Sequence, residues 1–189
     1  MRIVTSKGRV LREFDGPLSG ASLRGLKLSG ACLQGQSAIG SDFSESVLTG
    51  VDFDGANLSD AQFENAVMEG VCCSDAIFLK ADLRNADLYW AIAFRASFIK
   101  ADLRFAKLNG ANLEEADFTD ANLEGVDLGR DNLGGSTRLQ GANFRNANLK
   151  GASFDGAEYD SATILPSGFD PRNHKMVYRD TALAKSDGR

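Results

Sequence analysis

The chain has 189 residues, 43% of them hydrophobic and 25% charged, which is ample for one folded unit and too short for a large multidomain enzyme. A formal net charge of −5 argues against binding DNA or anionic membrane through bulk positive charge and leaves basic partners open. There is no run of 18 apolar residues for a membrane span, Met1 to Phe14 lacks the apolar stretch of a signal peptide, and Cys32, Cys72 and Cys73 suit reduced thiols better than a disulfide framework, so a soluble cytoplasmic protein is expected.

Residues 1–17, with Ile3, Val4, Val10 and Leu11, read as an N-terminal cap. From Leu18 to Leu133 an apolar residue recurs every five positions, and after one extra residue the pattern resumes from Leu139 to Ile164. Of these 30 centres 16 are Leu and 8 are Phe; Ala stands two residues before the centre in 20 units, and Asp or Asn one residue before it in 13. A helix turning about 100° per residue would smear such a row around its circumference. Strand alternation relates the Ala to the centre, but an odd period would send the next centre to the other face. The chain must therefore turn a corner in every unit, and Gly25, Gly30, Gly35, Gly50, Gly55, Gly110 and Gly125 stand where that corner falls.

Phe78 to Asp87 matches Phe98 to Lys107 at seven of ten positions, which predicts coils of 20 residues, or four units. At about 4.8 Å between coils, some seven and a half of them form a rod roughly 36 Å long, with ladders such as Leu58, Phe78, Phe98 and Phe118. The Ala-(Asp/Asn)-(Leu/Phe)-x-x unit, repeated from Gly16 to Pro166, resembles the pentapeptide-repeat proteins. That resemblance implies an all-β fold, a right-handed quadrilateral β-helix of about seven to eight four-sided coils. The piece from Thr163 to Pro171 also resembles the ending of many bacterial members.

On this reading residues 18–166 are the β-helix, with a phase slip near 134–138 read as a bulge or short loop, and residues 167–189 are a C-terminal cap and flexible tail. Charge runs in bands: +4 over residues 1–27, −8 over 28–79, +3 over 80–107, −6 over 108–137 and +2 over 138–189. Ladders of ion pairs such as Asp82 with Arg84 and Asp102 with Arg104 are one account of the banding; an electrostatic binding role is the other. Within the positive band Leu79, Tyr89, Trp90, Ile92, Phe94, Ile99 and Phe105 fall at outward or corner positions, among Arg84, Arg95, Lys100 and Arg104. That is the composition of a protein-interaction hot spot. The alternative is local repacking, with Phe94 or Ile92 turning inward over the undersized centres Cys73 and Ala93.

His174 is the only histidine, the carboxylates sit on a convex rod without a secluded pocket, and no phosphate-binding glycine motif occurs, so no catalytic residue, metal or cofactor is expected. The first expectation is a non-catalytic protein-interaction scaffold, monomer or homodimer, making no direct contact with nucleic acid or membrane. The resemblance implies a second: a DNA mimic that modulates or protects DNA gyrase or topoisomerase IV, with Asp42, Asp52, Asp54, Glu64, Glu69, Glu114, Asp117, Glu124 and Asp127 in the place of phosphates. The positive aromatic band and the Ala-rich repeat count against it, and the segment from Ser167 does not resemble those members' apolar dimer element.

Overall fold

The computed structural model describes residues 1–180; residues 181–189, within the segment expected to form a flexible tail, lie outside the described residues. Every backbone N–H of a typical unit finds a partner. Asn57 donates to the Gln36 carbonyl of the coil before (2.9 Å), while Leu58 and Asp60 donate to Ile77 and Leu79 of the coil after (2.7 and 2.8 Å). Ala61 closes the corner by donating to Leu58 O at 3.1 Å, and the remaining group, Ser59 N–H, donates to the Asn57 side-chain oxygen at 3.1 Å. The Asp/Asn preference one residue before the centre thus has a structural cause, since the side-chain oxygen satisfies this corner N–H. Asp42, Asp52, Asp82, Asp102, Asp117 and Asp127 make the same bond to the N–H two residues on.

Asp102 additionally holds the Arg104 guanidinium, with Nη2 to Oδ2 at 2.7 Å. Asp102→Ala is expected to lower the unfolding free energy by about 1 kcal/mol through the loss of the corner acceptor, and Asp102→Asn by much less, because it keeps that acceptor. Urea midpoints of the two variants, compared with the parent, check this.

The residues that carry these bonds form four ladders of single-residue bridges. Face A runs Ser22, Asp42, Gln62, Asp82, Asp102, Asn122, Asn148; face B runs Lys27, Val47, Val67, Asp87, Lys107, Asp127, Ser153. Face C runs Cys32, Asp52, Cys72, Ile92, Asn112, Arg138, Glu158, and face D runs Ser37, Asn57, Ile77, Ser97, Asp117, Asn143, Ile164. The rungs stand 20 residues apart up to Lys107–Asp127, as the internal match predicted. The Leu and Phe centres and the small residues beside them face the common core, nearly all fully buried. The Phe ladder is continuous: Phe78–Phe98, Phe98–Phe118 and Phe118–Phe144 stack at centroid separations of 4.8, 5.0 and 4.9 Å.

Each end of the core is covered. The hairpin of β1 (Arg2–Val4) and β2 (Val10–Glu13) joins the first coil where Cys32 N–H donates to Val4 O at 2.7 Å, and it buries Ile3. At the other end β3 (Glu158–Tyr159) pairs in parallel with β4 (Val177–Tyr178). The short 3-10 helix Pro171–His174 lies between them, its His174 ring stacked on Phe169 at 4.2 Å.

Two positions differ from the sequence reading. The slip is not one extra residue: Asn112 pairs with Arg138, so that coil has 26 residues rather than 20, and residues 131–136 form an excursion. Leu133, read as an inward centre, is 82% exposed at its tip. The reason lies two residues earlier, where the small inward residue should be: Asp131 cannot enter the apolar core as a charge. Fully buried Thr137 takes that place instead, its hydroxyl accepting from Gly110 N–H at 2.9 Å. A second slip, of one residue, follows at Asp160–Thr163, so Ile164 stands on face D, 41% exposed, and Leu165 packs against the core in its stead.

Candidate functional site

The residues of the aromatic and basic cluster do not form one patch, because their positions within the 20-residue coil send them to different corners. Leu79, Ile99 and Lys100 lie on the corner between faces D and A; Arg104 and Phe105 lie between A and B. Tyr89 and Trp90 form the corner between B and C, Ile92 stands on face C, and Phe94 and Arg95 form the corner between C and D. Only the last five share a side of the rod. Inward repacking does not occur there: Ile92 is 45% exposed over buried Cys73 and Ala93, and Phe94 is half-buried at its corner.

Trp90 is held in an unusual way. Its φ of 57° is the left-handed conformation that the equivalent corner residues Lys80, Asn85, Arg95, Lys100 and Phe105 also adopt; what sets Trp90 apart is its side chain. Its indole Nε1–H donates to Asp131 Oδ2 at 2.6 Å, and Asn132 N–H donates to the Tyr89 hydroxyl. Asp131 also accepts from Leu133 and Gly135 N–H at 2.9 and 2.6 Å. The 131–136 excursion is therefore stapled to the aromatic pair two coils before it. Sequence reasoning missed this staple; the signal was the acidic residue standing in place of the usual Ala.

The staple walls a groove of about 450 Å³ on face C. Trp90, Gly110, Gly135 and Ser136 line one side, Ala91 and Ala111 the floor, and Ile92, Asn112, Arg138 and Glu158 the other side. The indole N–H, followed by the loop N–H groups, holds the Asp131 carboxyl below its usual range. A carboxylate with a depressed pKa stabilises its contacts above the unfolded value of about 3.9 and loses that contribution as pH falls through the folded value. Emission from Trp90, the sole tryptophan, is therefore expected to stay constant from pH 7 to about 4 and to shift only at lower pH. An acid fluorescence titration checks this, with Asp131→Asn as the control that removes the transition.

Charge sorts by face as well as by band. Face A carries a run of ion pairs: Arg84 with Asp82 (2.6 Å) and Glu64 (3.3 Å), Arg104 with Asp102 (2.7 Å), Lys150 with Glu124 (3.3 Å) and Arg24 with Glu45 (2.6 Å). On the side of face C, Asp75 pairs with Arg95 at 2.8 Å, Glu114 with Arg138 at 3.7 Å and Glu158 with Arg179 at 3.4 Å, while among the described residues Asp52, Asp54 and Glu115 make no ion pair. The nine acids of the DNA-mimic reading are dispersed. Asp42, Glu64 and Glu124 lie on face A and its corner, Glu69 and Asp127 on that of B, Asp52, Asp54 and Glu114 on that of C, and Asp117 on D.

Burial, followed by Asp54, pushes the Cys72 and Cys73 thiols up, away from thiolate chemistry at neutral pH. Among the described residues no group of His, Cys, Asp or Glu is arranged to hold a metal ion, and no helix is long and apolar enough to cross a membrane.

The model of the pentapeptide repeats matches over residues 37–70, 56–92, 96–133 and 136–158, in eight copies. HetL, a pentapeptide repeat protein involved in heterocyst differentiation regulation in the cyanobacterium Nostoc sp. strain PCC 7120, is 26% identical. Its alignment covers 78% of this chain and 70% of its own, with a TM-score of 0.50. QnrB1, a plasmid-mediated fluoroquinolone resistance protein, superposes with a TM-score of 0.54 over 89% of this chain and 98% of its own, at 18% identity, a likeness of fold alone. No curated protein matches significantly. The solved structures share the right-handed quadrilateral β-helix, and with more than half its length matched by the repeat model, the chain belongs to the pentapeptide-repeat family.

Proposed function

We propose that this β-helix is a non-catalytic interaction protein that engages a protein partner through face C. The observation that carries the reading is the alignment of Trp90, Ile92 and Phe94 along one side of one coil, beside a loop stapled in place. A pre-ordered surface loses little further entropy on binding. HetL, involved in the regulation of differentiation, supports a regulatory contact in place of chemistry. Leu79, Ile99, Lys100, Arg104 and Phe105, on other corners, fall outside this surface.

DNA mimicry has less support. Its nine acids are spread over four sides, four of them hold corner N–H groups, and Glu64, Glu114 and Glu124 are ion-paired. The test is capture of partners from native-host lysate by the wild type and by an Ile92→Asp, Phe94→Asp double variant with an unchanged melting midpoint. Loss of a specific protein in the variant supports face C. Recovery of gyrase by both forms, together with inhibition of its supercoiling, sinks the reading in favour of DNA mimicry.

A further inference from the structure

We propose that the corner between faces D and A is a contact between two antiparallel copies of this chain, an inference that does not rest on the face C reading. Ile39, Ser59, Leu79 and Ile99 hold the first position of that corner in four successive coils, and Gly40, Asp60, Lys80 and Lys100 hold the second. Ile39 is 41% exposed, Leu79 and Ile99 are half-buried, and Ile77 on the adjoining face D is 40% exposed. From Ile39 to Ile99 this aliphatic ridge runs three coils, about 14 Å. Each of the other corners carries at most one apolar residue at the first position.

The charges on the ridge itself select a second copy as the occupant. Asp60 and Lys80 stand in consecutive coils, about 4.8 Å apart along the axis, and among the described residues neither they nor Lys100 make an ion pair. A twofold axis across the ridge, midway between those two coils, brings Asp60 of each copy opposite Lys80 of the other, so that one contact forms two identical ion pairs. The axis also falls where the −8 band of residues 28–79 meets the +3 band of residues 80–107. Each copy's negative stretch then lies along the positive stretch of the other.

The same register sets Ile39 opposite Ile99 and Leu79 opposite Ser59, so aliphatic side chains leave water on both sides of the axis. Moving the axis one coil on would set Lys80 against Lys100, and a parallel pair of rods would set like charges against each other at Asp60, Lys80 and Lys100. The contact is small, so the dimer dissociates on dilution. This corner is diagonal to that of Tyr89 and Trp90, and the dimer therefore leaves the groove of both copies uncovered.

Sedimentation equilibrium of the full chain, from about 5 to about 300 µM, tests this. The expected result is a reversible monomer–dimer equilibrium that weakens about tenfold or more in Asp60→Lys, in Lys80→Asp and in Ile99→Asp, with melting midpoints checked. Asp60 and Lys80 both have φ of 56°, and Lys100 and Asp120 already occupy equivalent corners, so exchanging the two residue types adds no backbone strain. Mixing tests the geometry. Asp60→Lys gives a ridge with cations at both central positions and Lys80→Asp one with anions at both, so each variant is expected to remain monomeric alone and the two to associate when combined in equal amounts. A parent chain that stays monomeric at the highest concentration, a dimer that the three substitutions leave unchanged, or charge variants that fail to associate on mixing overturns the inference.

Discussion

Phe98→Ala is expected to remove about 3–5 kcal/mol of unfolding free energy, the largest loss of any single substitution considered for this protein. Phe98 is fully buried and sits between two rings, 4.8 Å from Phe78 and 5.0 Å from Phe118, at interplanar angles of 9° and 4°. Truncation leaves a void flanked by aromatic faces that cannot close on it. The neighbouring backbone is pinned on both sides: Phe98 N–H donates to Asp117 O at 2.7 Å, and Phe78 N–H to Ser97 O at 2.7 Å. Because each coil contacts only its neighbours, the loss should weaken cooperativity between the two ends of the rod as well as stability. Urea unfolding followed by far-ultraviolet circular dichroism measures both, as a lower midpoint and a broader transition. Phe98→Leu, which keeps most of the volume, should lose only about 1–2 kcal/mol. Alanine and leucine variants that unfold together would show that the loss follows the missing ring stack and not the apolar volume.

The second large effect belongs to the corner beneath the tryptophan. Gly110 has φ +68°, and a Cβ placed there would stand 2.8 Å from Trp90 Cδ1 and 2.9 Å from Asp131 Cβ. Gly110→Val therefore combines a left-handed β-branched residue with an overfilled contact, and about 2–4 kcal/mol of destabilisation is expected. The indole must lift, which breaks its bond to Asp131 and frees the 131–136 excursion. Gly30→Val is the matched comparison: its φ is +69° and a Cβ there would meet nothing within 4 Å. The difference between the two midpoints isolates the clash from the backbone conformation. A shift in Trp90 emission confined to the Gly110 variant would locate the disturbance at the groove. Equal effects in both would mean that the ring moves aside freely and that the staple is weak.

The same corner shows why part of the site was legible and part was not. The outward placement of Trp90, Ile92 and Phe94 follows from their distance to the nearest centre, which is a local property of the chain. Which of these residues share a side with Leu79, Ile99 or Phe105 depends on position within the 20-residue coil. Sorting the band by that position would have separated Leu79 and Ile99 from Trp90. The charges are similar: taken along the chain, residues 28–79 hold eight acids and no base, yet what distinguishes face C from face A is which coils bring Arg or Lys beside them.

By itself the sequence determined the five-residue corner, the inward row of Leu and Phe, the 20-residue coil and the continuous Phe ladder, because each is a repeated choice that fails only if every unit fails. Only the tertiary structure decided the exceptions. Leu133 and Ile164 keep the apolar identity of a centre but lose its place, since Asp131 cannot be buried and the chain returns to the core at Thr137 and Leu165. The staple of Trp90 and Tyr89 to residues some forty positions on, and the groove it walls, arise from contacts between coils, and these depend on how the lengthened coil closes rather than on any local pattern.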